Sequence, residues 1–199
     1  MVRIGISVEG VTEERFIKRV LIPHFSDKSV FLTPVPMHGN VSVDRVRHEL
    51  EKLAYSFDFI TTFYDFYGFK NKQEGESKQS LEARIADGVK AELKGKVLPY
   101  IQMYEFEGLL FSSPGAIASI LQNQKLEIWA DNILDEFDNN PERVNDKPET
   151  APSKRLMKFS SYRKTTHGPD IAHQIGLEKL RVMCRGFDQW LSRIEEFVA

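Results

Sequence analysis

The chain has 199 residues, of which 41% are hydrophobic and 28% charged, as is usual for one globular domain with its own core. Its formal net charge of −2 excludes polyanion binding through bulk charge, so any contact with nucleic acid needs a local basic patch. Its one cysteine, Cys184, excludes an internal disulfide and fits a reducing compartment. We find no signal peptide and no run of about 20 apolar residues, so we predict a cytoplasmic protein without a membrane span.

The first fifteen residues predict a strand, a tight turn and the start of a helix. Apolar residues alternate over residues 2–8, as in a half-buried strand, and Gly10 permits a sharp turn. Thr12 is the expected N-cap of the helix, and acidic residues follow it. Glu9 therefore ends a strand at the edge where α/β ligand sites form, and Glu13 lies just beyond the turn. Carboxylates gathered there need protons or a hard divalent cation, unless they only cap the helix.

Strand and helix patterns then alternate along the next hundred residues. Pro23 is expected to end the first helix, and apolar spacing predicts further helices over residues 46–57 and 81–93. Further strands are predicted over residues 30–35, 59–64 and 97–103. The alternation predicts an α/β fold in which helices flank a sheet of about four mostly parallel strands.

After the fourth strand the pattern becomes helical. We therefore predict an α/β core over residues 1–112 and a helical extension over residues 113–199, packed together as one compact unit. An acidic stretch at residues 127–149 precedes a basic stretch at residues 151–169. The basic side chains predicted to grip a nucleic-acid backbone are Lys154, Arg155, Lys158, Arg163 and Lys164. Tyr162 is available to stack on a base there, but a solvated helix face that balances the acidic stretch explains the same charges equally well.

Acidic side chains follow three of the four predicted strands. Asp65 follows the third strand, and Glu105 and Glu107 follow the fourth. Because the carboxyl ends of parallel strands meet at one edge, we expect these acids to converge with those of the first turn. His38, after the second strand, is an accessory candidate. Structural roles stay open as alternatives: Asp65 capping a turn, Glu105 pairing with an arginine, and Glu105 diverging from Glu107 if their segment is helical.

Three motifs of this sequence resemble the Toprim-like superfamily: residues 8–13, residues 64–68 and residues 105–107. Residues 147–156 and 168–172 extend the resemblance over nearly the whole chain, to the bacterial domain-of-unknown-function 4276 family and, more distantly, to OLD-type Toprim nucleases. The resemblance implies a compact Toprim-like α/β domain whose acidic residues bind Mg²⁺ or Mn²⁺.

The resemblance also implies roles for individual residues. Glu9 matches the metal-binding glutamate after the first strand, Glu13 the second acid of OLD-type nucleases, and Asp65 the first of two paired aspartates. Tyr67 stands where the second aspartate is expected, and a phenol with a pKa of about 10 is a poor ligand for Mg²⁺. We expect the glutamates after the fourth strand to supply the missing charge. The predicted metal ligands are Glu9, Asp65, Glu105 and Glu107, and the predicted catalytic residues are these four and Glu13.

These implications favour a metal-dependent nuclease that hydrolyses phosphodiester bonds in DNA or RNA. Nucleic acid is then the expected partner, and the resemblance adds an ATPase partner protein, a role in defence and the option of a homodimer. The chain lacks the pattern Gly-x-x-x-x-Gly-Lys-Ser/Thr, so ATP binding is not expected of it. Two alternatives stay open. One is a non-catalytic module that binds nucleic acid or protein, and the other is a hydrolase of small phosphoesters or nucleotides.

Overall fold

A parallel sheet organises the computed structural model, which describes residues 1–145 and 147–197. The strands are β1 (Val2–Val8), β2 (Val30–Pro36), β3 (Phe59–Asp65), β4 (Val97–Leu98) and β5 (Ile101–Gln102). They are ordered β2-β1-β3-β4, β5 also pairs with β3, and every pair is parallel. The predicted α/β class and its mostly parallel sheet are therefore confirmed.

Helices cover both faces of this sheet. They are α1 (Val11–Phe16), α2 (Ile22–Phe25), α3 (Val43–Leu53), α4 (Lys78–Gly88), α5 (Pro114–Ile120), α6 (Lys125–Glu136), α7 (Pro152–Phe159), α8 (Lys164–Ile175), α9 (Leu177–Met183) and α10 (Arg185–Glu196). Short 3₁₀ helices include Phe66–Gly68, Ala91–Lys96 and Phe106–Ser112. Within residues 1–145 and 147–197, no helix combines the length and apolar character that crossing a bilayer requires.

The central strands β1 and β3 are buried on both faces, because helices pack above and below them. Phe63 belongs to the larger apolar cluster and Tyr64 to the smaller one, as the alternation of a strand requires. Burial of Ser7 is compatible with this position because its Oγ hydrogen-bonds the hydroxyl of Tyr64 at 2.6 Å. β1 is thus a central strand. Over residues 4–8, its large apolar residues alternate with small residues that are also buried, and not with exposed polar ones.

The start of the first helical segment differs from the prediction. Gly10, not Thr12, is the N-cap residue of α1, and Glu13 Oε2 accepts the Gly10 N–H at 3.0 Å. Pro23 does not end the helix either. A π-helical turn, Ile17–Leu21, leads from α1 into α2, and Pro23 lies in the first turn of α2, where a missing N–H costs little.

The predicted helix over residues 81–93 ends earlier, at Gly88, and a separate 3₁₀ helix follows. The strand predicted over residues 97–103 is interrupted at Pro99, which has no N–H to donate to a ladder. Thr62 bridges the interruption, since its Oγ1 donates to Tyr100 O at 2.6 Å and accepts the Tyr100 N–H at 2.8 Å. Two short strands thus replace one.

Side chains from both predicted parts of the chain form the larger apolar cluster. Ile6 and Phe63 from the sheet pack in it with Phe187 and Trp190 from α10. The Trp190 indole N–H also donates to Thr61 Oγ1 of β3 at 2.7 Å. The boundary at residue 112 stays a prediction, and Asp146 of the acidic stretch lies outside the described residues.

Candidate active site at the carboxyl edge of the sheet

The carboxyl ends of three strands bring five acidic residues to one edge of the sheet. Glu9 follows β1 and Glu13 lies in α1 just beyond it, Asp65 ends β3, and the segment after β5 supplies Glu105 and Glu107. The five are Glu9, Glu13, Asp65, Glu105 and Glu107. Their charges are close enough for the other four to raise the pKa of Asp65. The structure therefore brings together the predicted acids, whose catalytic and metal-binding roles stay predictions.

Backbone N–H groups hold two of these carboxylates in place. Asp65 Oδ1 accepts the N–H of Phe106 at 2.7 Å, and Glu105 Oε2 accepts the N–H of Ser153 at 2.9 Å. Asp65 thus ties β3 to the next segment, and its side chain makes no cap to the 3₁₀ turn that follows it. These bonds come from elements far apart in the sequence, so local pattern gave no signal for them.

Glu105 and Glu107 both face the cluster, which settles the alternative that the sequence left open. Glu105 has an extended backbone and precedes the 3₁₀ helix Phe106–Ser112, in which Glu107 lies. The Nζ atom of Lys164 is 3.7 Å from Glu105 Oε1 and 3.6 Å from Glu107 Oε1. Glu105 therefore pairs with a lysine and not with an arginine. Lys164, which the sequence predicts to bind a nucleic-acid backbone, lies among the acids, and its binding to nucleic acid stays a prediction.

Tyr162 also belongs to this cluster. It is only 5% exposed, and its hydroxyl donates to Glu107 Oε1 at 3.1 Å. The prediction that Tyr162 is available to stack on a base is therefore wrong, because its ring is packed inside the protein. Gly168 permits this packing, since a Cβ there would lie 2.8 Å from the Tyr162 hydroxyl.

Burial and mutual repulsion disfavour the charged forms of these acids. Burial raises the pKa of Glu107 to about 7 and that of Asp65 well above its usual value. Burial likewise raises the pKa of Glu13 and of Glu9. The cluster therefore carries more acid than one ammonium group neutralises, and protons or a cation must supply the remainder.

Lys164 is the one ammonium that the described residues place in ion-pair contact with these acids. Burial lowers the pKa of Lys164, but the charges of Glu107 and Glu105 outweigh burial and raise it above the usual value. Lys164 therefore stays charged and acts as an internal counter-ion to the cluster.

The donor set fits Mg²⁺ or Mn²⁺ in chemistry, because it offers only oxygen ligands and excess negative charge. As the side chains stand, however, no three His, Cys, Asp or Glu groups among residues 1–145 and 147–197 are grouped to hold an ion. Glu9, Asp65 and Glu105 are partly exposed, whereas Glu13 and Glu107 are buried. Binding of an ion would thus require rotation of these side chains.

Tyr67 does not replace the missing aspartate as an anion. Its hydroxyl accepts a hydrogen bond from Asn145 Nδ2 at 2.6 Å, and burial raises its pKa above the usual value for a phenol. His38 lies exposed in the loop after β2, and the structure describes no contact of its imidazole with the acids. Neither accessory candidate therefore adds charge to the cluster.

The predicted basic residues do not form one continuous face. Arg155 Nε donates to Thr150 O at 2.7 Å, and its guanidinium lies 5.5 Å from the ring centre of Phe137. With Lys164 among the acids, the exposed members are Lys154, Lys158 and Arg163. The basic stretch thus has several separate structural roles, and its binding to nucleic acid stays a prediction.

The parallel sheet and its flanking helices define the chain as an α/β domain with its acidic cluster at the carboxyl edge of the sheet. The chain belongs to the family described as domain of unknown function (DUF4276), whose model matches residues 8–195. Among solved structures, the C-terminal region of the Burkholderia pseudomallei OLD protein is similar in fold, with a TM-score of 0.56 and 13% identity over 100% of both chains. No curated protein matches the sequence.

Proposed function

We propose that this protein is a metal-dependent phosphodiesterase that hydrolyses nucleic acid. The observation that carries the proposal is the cluster of five carboxylates at the carboxyl edge of a parallel sheet, with the pKa values of Glu9, Glu13, Asp65 and Glu107 raised and one lysine as counter-ion. The fold shared with the C-terminal region of an OLD protein supports it. The residues proposed to hold Mg²⁺ or Mn²⁺ are Glu9, Asp65, Glu105 and Glu107.

A bound divalent cation would polarise the phosphodiester and lower the pKa of an attacking water. The chain's own groups supply the rest. Lys164 can neutralise a non-bridging phosphate oxygen, because its side chain is 42% exposed beside the acids. As an alternative to holding the ion, Glu107, with a pKa of about 7, can take or give a proton near neutral pH. The Tyr162 hydroxyl orients that carboxyl group.

The wider setting is also part of the proposal. We propose nucleic acid as the substrate, an ATPase as a partner protein and a cytoplasmic location, with a homodimer as the form in which the chain acts. The support for these is the sequence resemblance and, for the location, the single buried cysteine. The partner protein, the location and the homodimer are not needed for the chemistry at the acidic cluster.

Substitution of Glu9 by glutamine is expected to weaken metal binding and to abolish nucleic-acid cleavage. Calorimetric titration should show Mn²⁺ affinity reduced about tenfold or more, since one ionised ligand is lost. Nicking of supercoiled plasmid, assayed on the same samples, should disappear. The matched control is Glu14→Gln on α1, whose carboxylate faces Lys18 on the surface, and it should keep both properties.

The possible results separate the three functions. Metal binding without cleavage of plasmid or RNA, but with hydrolysis of nucleotides, would favour a small phosphoester as substrate. A folded wild-type protein that binds neither metal would overturn the proposal. One observation favours the non-catalytic module in that case: the ammonium of Lys164 already pairs with Glu105 and Glu107.

Gly68→Ala is expected to weaken metal binding without unfolding the protein. A Cβ at this position would collide with Glu9 Oε2, the end of a flexible side chain that must then move. We expect Mn²⁺ affinity to fall about tenfold, with the unfolding midpoint shifted by less than about 3 °C. Gly95→Ala is the control, because a Cβ there meets nothing within 4 Å. Equal Mn²⁺ affinity in the two variants would exclude Glu9 as a ligand.

A further inference from the structure

A groove of about 500 Å³ adjoins the acidic cluster. Its lining residues are Tyr67, Lys72, Glu105, Pro148, Ala151 and Lys154. Glu105 belongs both to this groove and to the cluster, where it pairs with Lys164. A ligand in the groove therefore lies beside the carboxylates that the proposed function uses. The volume is in the range of sites that hold small ligands or single residues of a polymer.

Tyr67 gives the groove a fixed aromatic surface. Its hydroxyl is held by Asn145 Nδ2 at 2.6 Å and its N–H donates to Tyr104 O at 3.0 Å. The rings of Tyr67 and Tyr104 lie 5.4 Å apart, centre to centre. Tyr67 nevertheless stays partly exposed. A ring held on several sides and open on another is suited to stack on a planar group.

The backbone at Tyr104 is unusual for a residue with a bulky side chain. Its φ of 59° lies in the left-handed region, which such residues rarely adopt. This conformation sets Tyr104 beside Tyr67 immediately before Glu105. The strain is consistent with a functional requirement for this arrangement of ring and carboxylate.

Two lysines border the same groove with their ammonium groups anchored to the backbone. Lys72 Nζ donates to Phe66 O and to Phe69 O, both at 2.9 Å. Lys154 Nζ donates to Pro148 O at 2.7 Å. An ammonium has three N–H donors, so one remains on Lys72 and two on Lys154 beyond these bonds. Both cations are thus positioned in advance to contact an anion.

We propose that this groove binds a single strand of nucleic acid and leads it to the acidic cluster. Tyr67 stacks on a base, while Lys72 and Lys154 contact the phosphates on either side. A base paired within a duplex has no free face for such stacking, so the groove selects single strands or frayed ends. This inference rests on the proposed function and adds to it the class of substrate. Stacking on a base also gives Tyr67 a role that an aspartate at this position could not fill.

Binding of a short fluorescein-labelled strand, measured by anisotropy in EDTA and low salt, tests the groove without any metal. Tyr67→Ala should weaken binding by roughly fivefold or more, the value of one base–aromatic stack. Tyr67→Phe keeps the ring and should stay within about twofold of wild type. In a series of salt concentrations, Lys154→Gln should reduce the magnitude of the slope of log affinity against log salt concentration by about 0.7. Lys125→Gln on α6, whose residues do not line the groove, is the charge control.

Several results would overturn the groove as a strand site. These are equal affinity of wild type for the strand and its duplex, no binding of the strand at all, or unchanged binding by folded Tyr67→Ala and Lys154→Gln variants. Cleavage assays separate this failure from failure of the proposed function. The expected binding pattern without metal-dependent cleavage would support the groove as a strand site and reject the nuclease. Metal-dependent cleavage that is unchanged by both substitutions would support the nuclease and reject the groove as a strand site.

Discussion

Replacing Glu107 by glutamine is expected to stabilise the metal-free protein above neutral pH. The Glu107 side chain is almost fully buried, and its pKa is raised from 4.5 to about 7 in the folded protein. The folded state therefore holds this proton more tightly than the unfolded state. The contribution of this proton to the free energy of unfolding is fully present below about pH 4.5 and is lost as the pH rises through about 7. The loss amounts to about 3 kcal/mol, which glutamine avoids because it does not ionise.

Urea unfolding in EDTA at pH 5 and pH 8 measures this effect. The wild-type free energy of unfolding should fall between the two values, and Glu107→Gln should fall by about 3 kcal/mol less. Glu136→Gln, at an exposed position on α6, should behave like wild type. The same fall in wild type and Glu107→Gln would contradict the assignment of this pH dependence to Glu107.

Lys164→Met is expected to destabilise the metal-free protein by about 2 kcal/mol at pH 8. Removal of one partner from a buried ion pair costs more than this, but the side chain is 42% exposed and solvent screens part of the interaction. The acids then have no ammonium in contact among the described residues. If the cluster binds Mn²⁺, the ion should restore more stability to Lys164→Met than it adds to wild type.

Thermal unfolding with EDTA and with Mn²⁺ provides the measurement. Lys164→Arg should stay close to wild type because it keeps the positive charge. Lys18→Met tests the loss of a surface lysine, since Lys18 pairs with Glu14 at 2.5 Å on the outside of α1, and it should cost less than about 1 kcal/mol. Equal effects of Lys164→Met and Lys18→Met would show that Lys164 does not neutralise the cluster.

The parts of this site that sequence could predict are those set by strand ends. Glu9 and Asp65 each follow a run of strand-forming residues, and the rule that parallel strands end at one edge brings them together. The same rule placed the segment of Glu105 and Glu107 at that edge. The alternation of apolar residues and the positions of the acids after the strands were therefore sufficient to predict the sheet and most of the acids at its edge.

The parts that sequence missed depend on packing between distant segments. In the sequence, nothing distinguishes Lys164 from the four other basic residues of its stretch. It reaches the acids because α8 packs against α1. Tyr162 looks available for stacking until its burial against Gly168 is known. Pro23 reads as a helix stop, because no local signal indicates that a π-helical turn carries the helix past it.

Both edges of the sheet are poor templates for further strands. The outer strand β2 carries Pro34 and Pro36, which remove two N–H donors from it, and its neighbouring residue Met37 donates inward to Val8 O. The opposite edge consists of two dipeptide strands separated at Pro99. We therefore expect a second copy of the chain not to extend this sheet into a continuous one. Self-assembly is expected to use helices or loops, and these edges disfavour edge-to-edge aggregation.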